Sequence, residues 1–534
     1  MILKEELAKL VDGELSDSSQ ELLRCSTDAS VFEVKPELVV YPRQAGDLKA
    51  LVKFVANAKI DHPALSLTAR AAGTCMSGGA LNQSIILDFT KHFNHLGAVE
   101  QERITLEPGV YYRDLEKVTL SAGLILPSYT ASKEICAVGG MVANNAAGEK
   151  TLAYGSTERF VESLSVILAD GEEYQFGKLT PAELQQKLAK TDYEGEIYRQ
   201  VKNLLEENRA LIAKAKPKVS KNSAGYLIWH VQPEPSGPFD LAQLMVGAQG
   251  TLGLISKITL RLMPVLPVRQ LLVITLEDLE ILPEVVRLVL AARPESFECY
   301  DHYTFALAAK YLPAAAQAVI TQNETKLTLL AEFAGNDEAS VAAPLEATRV
   351  ALAALKLSLD LPASNQALNY WQIRRSSFAL LREHNEAGHR VAPFIDDVIV
   401  SPEHLAKFLP QFNEILQKHH MIYTIAGHIG NGNFHLIPLV NLESELGRTD
   451  LLKVAEEVFQ LTFSFGGSMA GEHNDGIIRT PFLAAMYGEE TVQLFAKIKQ
   501  IFDPQNIFNP GKKVGGTLEY ALAHLSHSNT SPHF

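Results

Sequence analysis

The chain has 534 residues, more than one hydrophobic core supports, so two or more domains are expected. Hydrophobic residues make up 47% and charged residues 21%, the balance of an ordinary globular protein rather than of a disordered or membrane-spanning one. The 48 basic and 62 acidic side chains leave a formal net charge of −14, which argues against a nucleic-acid partner, because phosphate binding needs concentrated Lys and Arg.

The N-terminus, "MILKEELAKLVDGELSDSSQ", mixes acids with apolar residues at helical spacing and has no signal-peptide core. No apolar run approaches the roughly 20 residues that cross a bilayer. A cytoplasmic protein is expected, with peripheral association at the inner membrane left open. Cys25, Cys75, Cys136 and Cys299 are scattered and form no C-x-x-C pair, so reduced thiols are expected and an iron–sulfur cluster within this chain is not.

Residues 31–60 read as a strand, "ELVVYP", and a helix, "QAGDLKALVKFVANAK". Short strands divided by glycine-rich turns follow in "ALSLTARAAGTCMSGGA", "SIILDFT" and "RITLEPGV". A helix then leads to "GLILPSYTASKEICAVGGMVANNAAG", and "SLSVILADGEEYQFG" reads as a hairpin with Asp170-Gly171 at its turn. A helical section covers about 180–214, and "LMVGAQGTLGLISKITLRLMP" closes this half on a long strand. Pro264 and Pro267 in "RLMPVLPVRQ" interrupt the pattern and mark a boundary. Beyond it, "LLVITLED" with "LEILPEVVRLVLAA", then "TKLTLLAEFAG" with "EASVAAPLEATRVALAAL", are two strand–helix units of a compact α+β domain, with helices expected on one face of a sheet. In "GHIGNGNFH", residues 427–435, the Gly and Asn residues oppose a helix, so a strand, a bend and a second strand are expected. Such a bend brings two imidazoles to one sheet end, where imidazole pairs often hold a metal. A lone His pair is more often structural.

Three small-residue turns stand out. The first, "RAAGTCMSGGA" at 70–80, offers consecutive N–H groups of the kind that cradle a pyrophosphate, but it does not match G-x-G-x-x-G before a helix. The second is "SKEICAVGGMVANNAAG" at 132–148, and the third is "GAQGTLGLISKITL" at 247–260. With "YPRQAGDLKALVKFVANAK", "KNSAGY" at 221–226 and "FNPGK" at 508–512, these blocks resemble, in order, the FAD-linked flavoproteins of the vanillyl-alcohol oxidase and p-cresol methylhydroxylase superfamily. The branch is that of the D-lactate, glycolate and D-2-hydroxyglutarate dehydrogenases, and the likeness runs from about Pro42 to Val514.

The resemblance implies an α+β fold: a two-subdomain FAD-binding domain of the p-cresol methylhydroxylase type plus an α+β, ferredoxin-like cap domain. The expected division is an N-terminal helical segment (1–35), the FAD-binding domain (36–266), a substrate or cap domain with a metal site (267–495), a C-terminal segment returning to the FAD domain (496–520) and a tail (521–534). FAD would be bound non-covalently, since no histidine stands in the first block for covalent attachment. Arg70, Ala71, Ala72, Gly73, Thr74, Cys75, Met76 and Ser77 would wrap its diphosphate through backbone amides. Ser132, Gly139, Gly140, Asn144 and Gly148 would line the path to the flavin, with Ile255 near the adenine and Asn509 completing the site. The branch often has further glycines in place of Ala71 and Ala72 and a glutamate in place of Gln249; neither change removes a backbone donor.

The same resemblance adds Glu472 to His428 and His435 as a three-ligand divalent-metal set, suited to Zn²⁺ and also open to Mn²⁺, Fe²⁺ or Co²⁺. His473 would be the base and Arg374, in "WQIRRSSFALLREH", the carboxylate-binding group. Phe378, Ile395 and Ile437 stand where dicarboxylate-specific members carry polar residues, so a lactate-like D-2-hydroxy monocarboxylate is favoured. The expected activity is its oxidation to the 2-oxo acid. Electrons would pass to a quinone, cytochrome, electron-transfer flavoprotein or separate iron–sulfur subunit, and a homodimer is left open. The rival readings are a metal-independent FAD oxidase or synthase on the same scaffold, and a non-catalytic flavoprotein subunit.

Overall fold

The protein is described by a computed structural model over residues 2–319, 324–383, 390–420, 422–442 and 444–526. Most of the tail segment (527–534) lies outside the described residues. Among the described residues three larger sheets carry the fold, beside a two-stranded pairing of Leu124–Ile125 with Met263–Pro264.

The first sheet has four strands in the order Glu14–Ser16, Leu38–Tyr41, Ile85–Asp88, Leu67–Arg70, the last three parallel. Leu38–Tyr41 and Ile85–Asp88 are buried along their whole length, which is why they read as unbroken apolar runs. The intervening helix Ala45–Ala58 buries Leu48, Leu51, Val52 and Val55, a single stripe at helical spacing, against them.

The second sheet is antiparallel and six-stranded, and includes the hairpin Val161–Ile167 and Glu173–Leu179 turned at Gly171, with φ +74°. Its long strand Leu254–Arg261 alternates between buried and solvent-facing positions, with Ile258 and Leu260 inward and Lys257 outward.

The third sheet has eight strands and takes all of them from residues 268–440. Along Val268–Leu276 the inward residues divide between two cores. Leu272, Ile274 and Leu276 meet the helices Leu282–Ala291 and Glu338–Leu352 of the two strand–helix units. Leu271 and Val273 meet Tyr370, Trp371 and Ile373 of the helix Ser364–Glu383 on the opposite side. Both faces are therefore covered, one more layer than the two strand–helix units alone provide. The cause is visible in Ser296–Asp301, all six of whose residues are buried: a central strand buried on both faces needs cover over each.

After the helix Glu445–Ser464 the chain runs back to the first half. Phe508 and Ile507 enter the core of the first sheet, and Asn509 N donates to Leu67 O at 2.9 Å. Among the described residues no helix is long and apolar enough to cross a membrane.

Candidate functional site

A cavity of about 450 Å³ opens between the two halves. Its first wall is the loop that leaves the sheet at Arg70. Gly73 has φ +73°, a conformation a side chain resists, and the Arg70 guanidinium lies directly beneath it. The N–H groups of residues 71–76 donate to no acceptor among the described residues, the condition a diphosphate cradle requires. The second wall is Thr130–Ala147, where Gly140 faces Ala71: a methyl added there would stand 3.3 Å from the Ala71 Cβ. The third is formed by Gln249, Gly250, Gly253 and Ile255.

Arg70, Ala71, Ala72, Gly73, Thr74, Cys75, Met76, Ser132, Gly139, Gly140, Asn144 and Ile255 all line this space. Ser77, Gly148 and Asn509 do not. The Ser77 carbonyl turns away to accept from Ile477 N at 2.8 Å. Gly148 is glycine because a Cβ there would collide with the Tyr129 carbonyl. Asn509 braces the cradle from behind, its Nδ2 donating to the carbonyls of Gly79 (2.8 Å) and Gln249 (2.7 Å). Gln249 ties the cradle to the second half, since its Oε1 accepts from Gly476 N at 2.8 Å and its Nε2 donates to Asn144 Oδ1 at 3.2 Å.

The wall facing the cradle holds Arg374, Arg375, Phe378, His428, His435, Ile437, Glu472 and His473. The strands Ile422–His428 and Asn433–Val440 join through a single helical turn at Ile429–Asn431, the strand–bend–strand arrangement read from the Gly and Asn residues. The bend is tight because Gly432, at φ +70°, lies against the Val400 carbonyl. The two imidazole centroids are 5.1 Å apart with planes at 87°.

Both rings are fixed through Nδ1. His428 Nδ1 faces Glu298 Oε1 at 2.7 Å, and His435 Nδ1 faces the Asp396 carbonyl at 2.9 Å. Their Nε2 atoms therefore both turn toward Glu472 Oε1, at 3.1 and 3.2 Å. Two ring nitrogens converging with one carboxylate oxygen in a buried corner form a donor set that could hold a divalent cation. A second grouping, Asp397, His435 and His473, is less suited: Asp397 Oδ2 accepts the N–H groups of Glu472 (2.8 Å) and His473 (2.7 Å), and Oδ1 accepts from Asn433 Nδ2 (3.1 Å).

His473 stacks on His435 at 4.9 Å, and its Nδ1 meets Asp396 Oδ2 at 2.8 Å. Burial opposes its cation, but Asp397 and Asp396 outweigh this and raise its pKa to about 9. Burial likewise opposes the charge on Glu472, whose carboxyl is nevertheless held well below its ordinary range by His428 and Lys221.

Arg374 lies 2.8 Å from Glu298 Oε2, whereas Arg375 grips Glu149 through two bonds, at 2.9 and 2.6 Å. Phe378 and Ile437 line the cavity; Ile395 does not, being packed wholly inside the core beneath it. The residues that the sequence left unassigned are the buried partners: Glu298, Lys221, Asp396, Asp397 and Arg479, whose guanidinium pairs with Asp396 Oδ1. Two signals were present. Lys221 opens the "KNSAGY" block, and Asp396-Asp397 is an acidic pair inside the apolar run "PFIDDVIV". Glu298 had no such mark.

The family described as FAD binding domain matches residues 36–177, and the family described as FAD linked oxidases, C-terminal domain, matches residues 266–513. A D-2-hydroxyglutarate dehydrogenase of Pantoea ananatis is 30% identical over 519 residues, covering 94% of this chain and 50% of the relative, so the chain spans about half the length of that protein. A D-lactate dehydrogenase of Archaeoglobus fulgidus is 27% identical over 507 residues, covering 91% and 96%. Among solved structures, p-cresol methylhydroxylase with substrate bound superposes with a TM-score of 0.69 over 96% of each chain, at 16% identity, a likeness of fold.

Proposed function

Because the chain belongs to the FAD-linked oxidases, carrying their FAD-binding and C-terminal domains in order, we propose that it is an FAD-dependent dehydrogenase that oxidises a D-2-hydroxy acid to the 2-oxo acid. The observation that carries this reading is one cavity walled on one side by the unpaired N–H cradle and on the other by His428, His435, Glu472, His473 and Arg374. FAD bound along the cradle would supply a hydride acceptor. A divalent cation held by His428, His435 and Glu472 would supply a Lewis acid for the substrate hydroxyl.

The chain's own groups then have distinct tasks. Arg374 offers a planar fork to the substrate carboxylate. His473, its Nδ1 held by Asp396, presents Nε2 to the cavity as acceptor of the hydroxyl proton. With its pKa raised to about 9 this ring is protonated at neutral pH; a divalent cation on the adjacent His428, His435 and Glu472 would disfavour the imidazolium and make Nε2 available.

A small apolar side chain on the substrate fits best. Phe378 and Ile437 face the cavity, and the fork of Arg375 is occupied by Glu149, so the wall around Arg374 offers no second free cation among the described residues. The names of the relatives favour two substrates, D-lactate and D-2-hydroxyglutarate. The second would require Glu149 to release Arg375. The electron acceptor would be a quinone, a cytochrome, an electron-transfer flavoprotein or a separate iron–sulfur subunit.

Anaerobic mixing of the FAD-loaded protein with D- and L-2-hydroxy acids tests the proposal through the flavin absorbance. D-Lactate is expected to bleach it, with D-2-hydroxyglutarate slower and the L-acids inert. Bleaching that persists in His428→Ala protein freed of metal would favour a metal-independent oxidase. No bleaching by any hydroxy acid would favour a non-catalytic flavoprotein.

A further inference from the structure

We propose that Glu298 is a positioning residue that holds His428 and Arg374 in their working orientations at once. The proposal rests on the reading of these two residues as metal ligand and carboxylate-binding group.

Glu298 lies on the strand Ser296–Asp301, which pairs with Ile422–His428 in the register Cys299↔Gly427 and Tyr300↔Ala426. Continued by one step, that antiparallel register sets Glu298 opposite His428. The side chain reaches two groups from there. Oε1 is 2.7 Å from His428 Nδ1, and Oε2 is 2.8 Å from Arg374 Nη2 on the helix above.

Glu298 is only 1% exposed, and a carboxylate so deeply buried is costly unless it is paired. Its two partners meet that need in different ways. The His428 contact is a directed hydrogen bond, which keeps the proton on Nδ1 and turns the Nε2 lone pair toward Glu472. The Arg374 contact is one of charge more than direction, since neither Glu298 Oε2 nor Arg374 Nε has a well-aligned hydrogen-bond partner among the described residues. Arg374 is therefore held electrostatically beside the cavity that it lines. One carboxylate thus sets the tautomer of a metal ligand and the seat of the substrate-binding cation.

The test uses the full chain with FAD bound, freed of metal by chelation, and reads two constants. Zn²⁺ is titrated calorimetrically into wild type, His435→Ala, Glu298→Gln and Glu298→Asp, and the KM for D-lactate is then measured with Zn²⁺ saturating. Wild type is expected to bind one Zn²⁺ and His435→Ala none, which secures the reading beneath the proposal. Glu298→Gln is expected to bind Zn²⁺ about 10–100-fold more weakly and, once saturated, to show a KM raised about tenfold or more, with FAD content at the wild-type level. Glu298→Asp keeps the charge but is one methylene too short to span both partners, so it is expected to fail in the same two ways; it also serves if the glutamine variant does not fold. A purely structural Glu298 would lower the unfolding temperature without moving either constant, and that result overturns the proposal. Wild-type affinity for Zn²⁺ or a wild-type KM in either variant overturns it as well. Absence of Zn²⁺ binding by wild type instead overturns the metal reading and, with it, the His428 half of the proposal.

Discussion

Lys221 Nζ lies 2.5 Å from Glu472 Oε2, with the lysine side chain wholly buried, so it occupies the carboxylate oxygen that the two imidazoles do not face. The pairing leaves Oε1 alone to meet His428 and His435. It also explains how an acid can stay ionised in a dry corner.

Removing that cation exposes the corresponding cost. Lys221→Met is expected to lose about 3–5 kcal/mol of stability in chelator, because the buried Glu472 carboxylate loses its lysine cation and keeps only the two imidazoles beside it. Added Zn²⁺ would restore more of that loss to the variant than it adds to wild type, since the metal takes over the lysine's neutralising role. Denaturant unfolding with and without Zn²⁺ measures both effects; an equal response in the two proteins would count against a metal at Glu472.

Across the cavity mouth, Glu149 joins the halves through Arg375, with the Tyr129 hydroxyl donating a third bond at 2.6 Å. Burial pushes its carboxyl up, but the Arg375 charge prevails and holds it at about 2, below the ordinary 4.5. A depressed folded-state value stabilises the protein above about 4.5, and the contribution disappears as the pH falls toward about 2. About 3 kcal/mol is involved. Glu149→Gln should therefore lower stability at neutral pH and flatten the acid limb of a stability–pH profile over that interval.

Arg374→Lys separates geometry from charge. A lysine keeps the ion pair with Glu298 but loses the planar fork, so the KM for the hydroxy acid should rise about tenfold or more with kcat changed less. Steady-state kinetics at saturating metal provide the check.

His473→Ala is expected to slow flavin reduction about 10²-fold or more, with FAD content unchanged. Stopped-flow absorbance under anaerobic conditions reads the rate. An unchanged rate would remove this imidazole from the chemistry.

At the cradle, Gly73→Ala places a methyl against the Arg70 guanidinium in a backbone conformation that costs a side chain about 1–2 kcal/mol. The loop must shift, so the purified variant should carry less FAD per chain than wild type, as the ratio of flavin to protein absorbance reports.

Much of the architecture could be read from local pattern. The apolar strand Leu38–Tyr41 of the first sheet, the stripe of Leu48, Leu51, Val52 and Val55, and the Asp170-Gly171 hairpin are each set by neighbours a few residues apart. The helix-poor run at 427–435 likewise had one plausible form, a bend between strands, and the structure has it. The fully covered cap sheet was less legible. Its outer helix, Ser364–Glu383, includes Arg374, Arg375 and Arg382, residues that in isolation suggest a solvated face, although Arg374 is buried.

The chain's residue types and their spacing pointed to a break near Pro264 and Pro267, to the glycine-rich turns and to histidines and carboxylates in a suggestive order. The folded structure alone revealed which of these groups are neutralised, and by which partners. Lys221 and Glu472 are 251 positions apart, and Glu298 and His428 are 130 apart. Hydrophobic periodicity acts over a few residues and survives in the linear text. The cost of burying a charge depends on what packs around it in three dimensions, so its solution appears only once distant strands have been brought side by side.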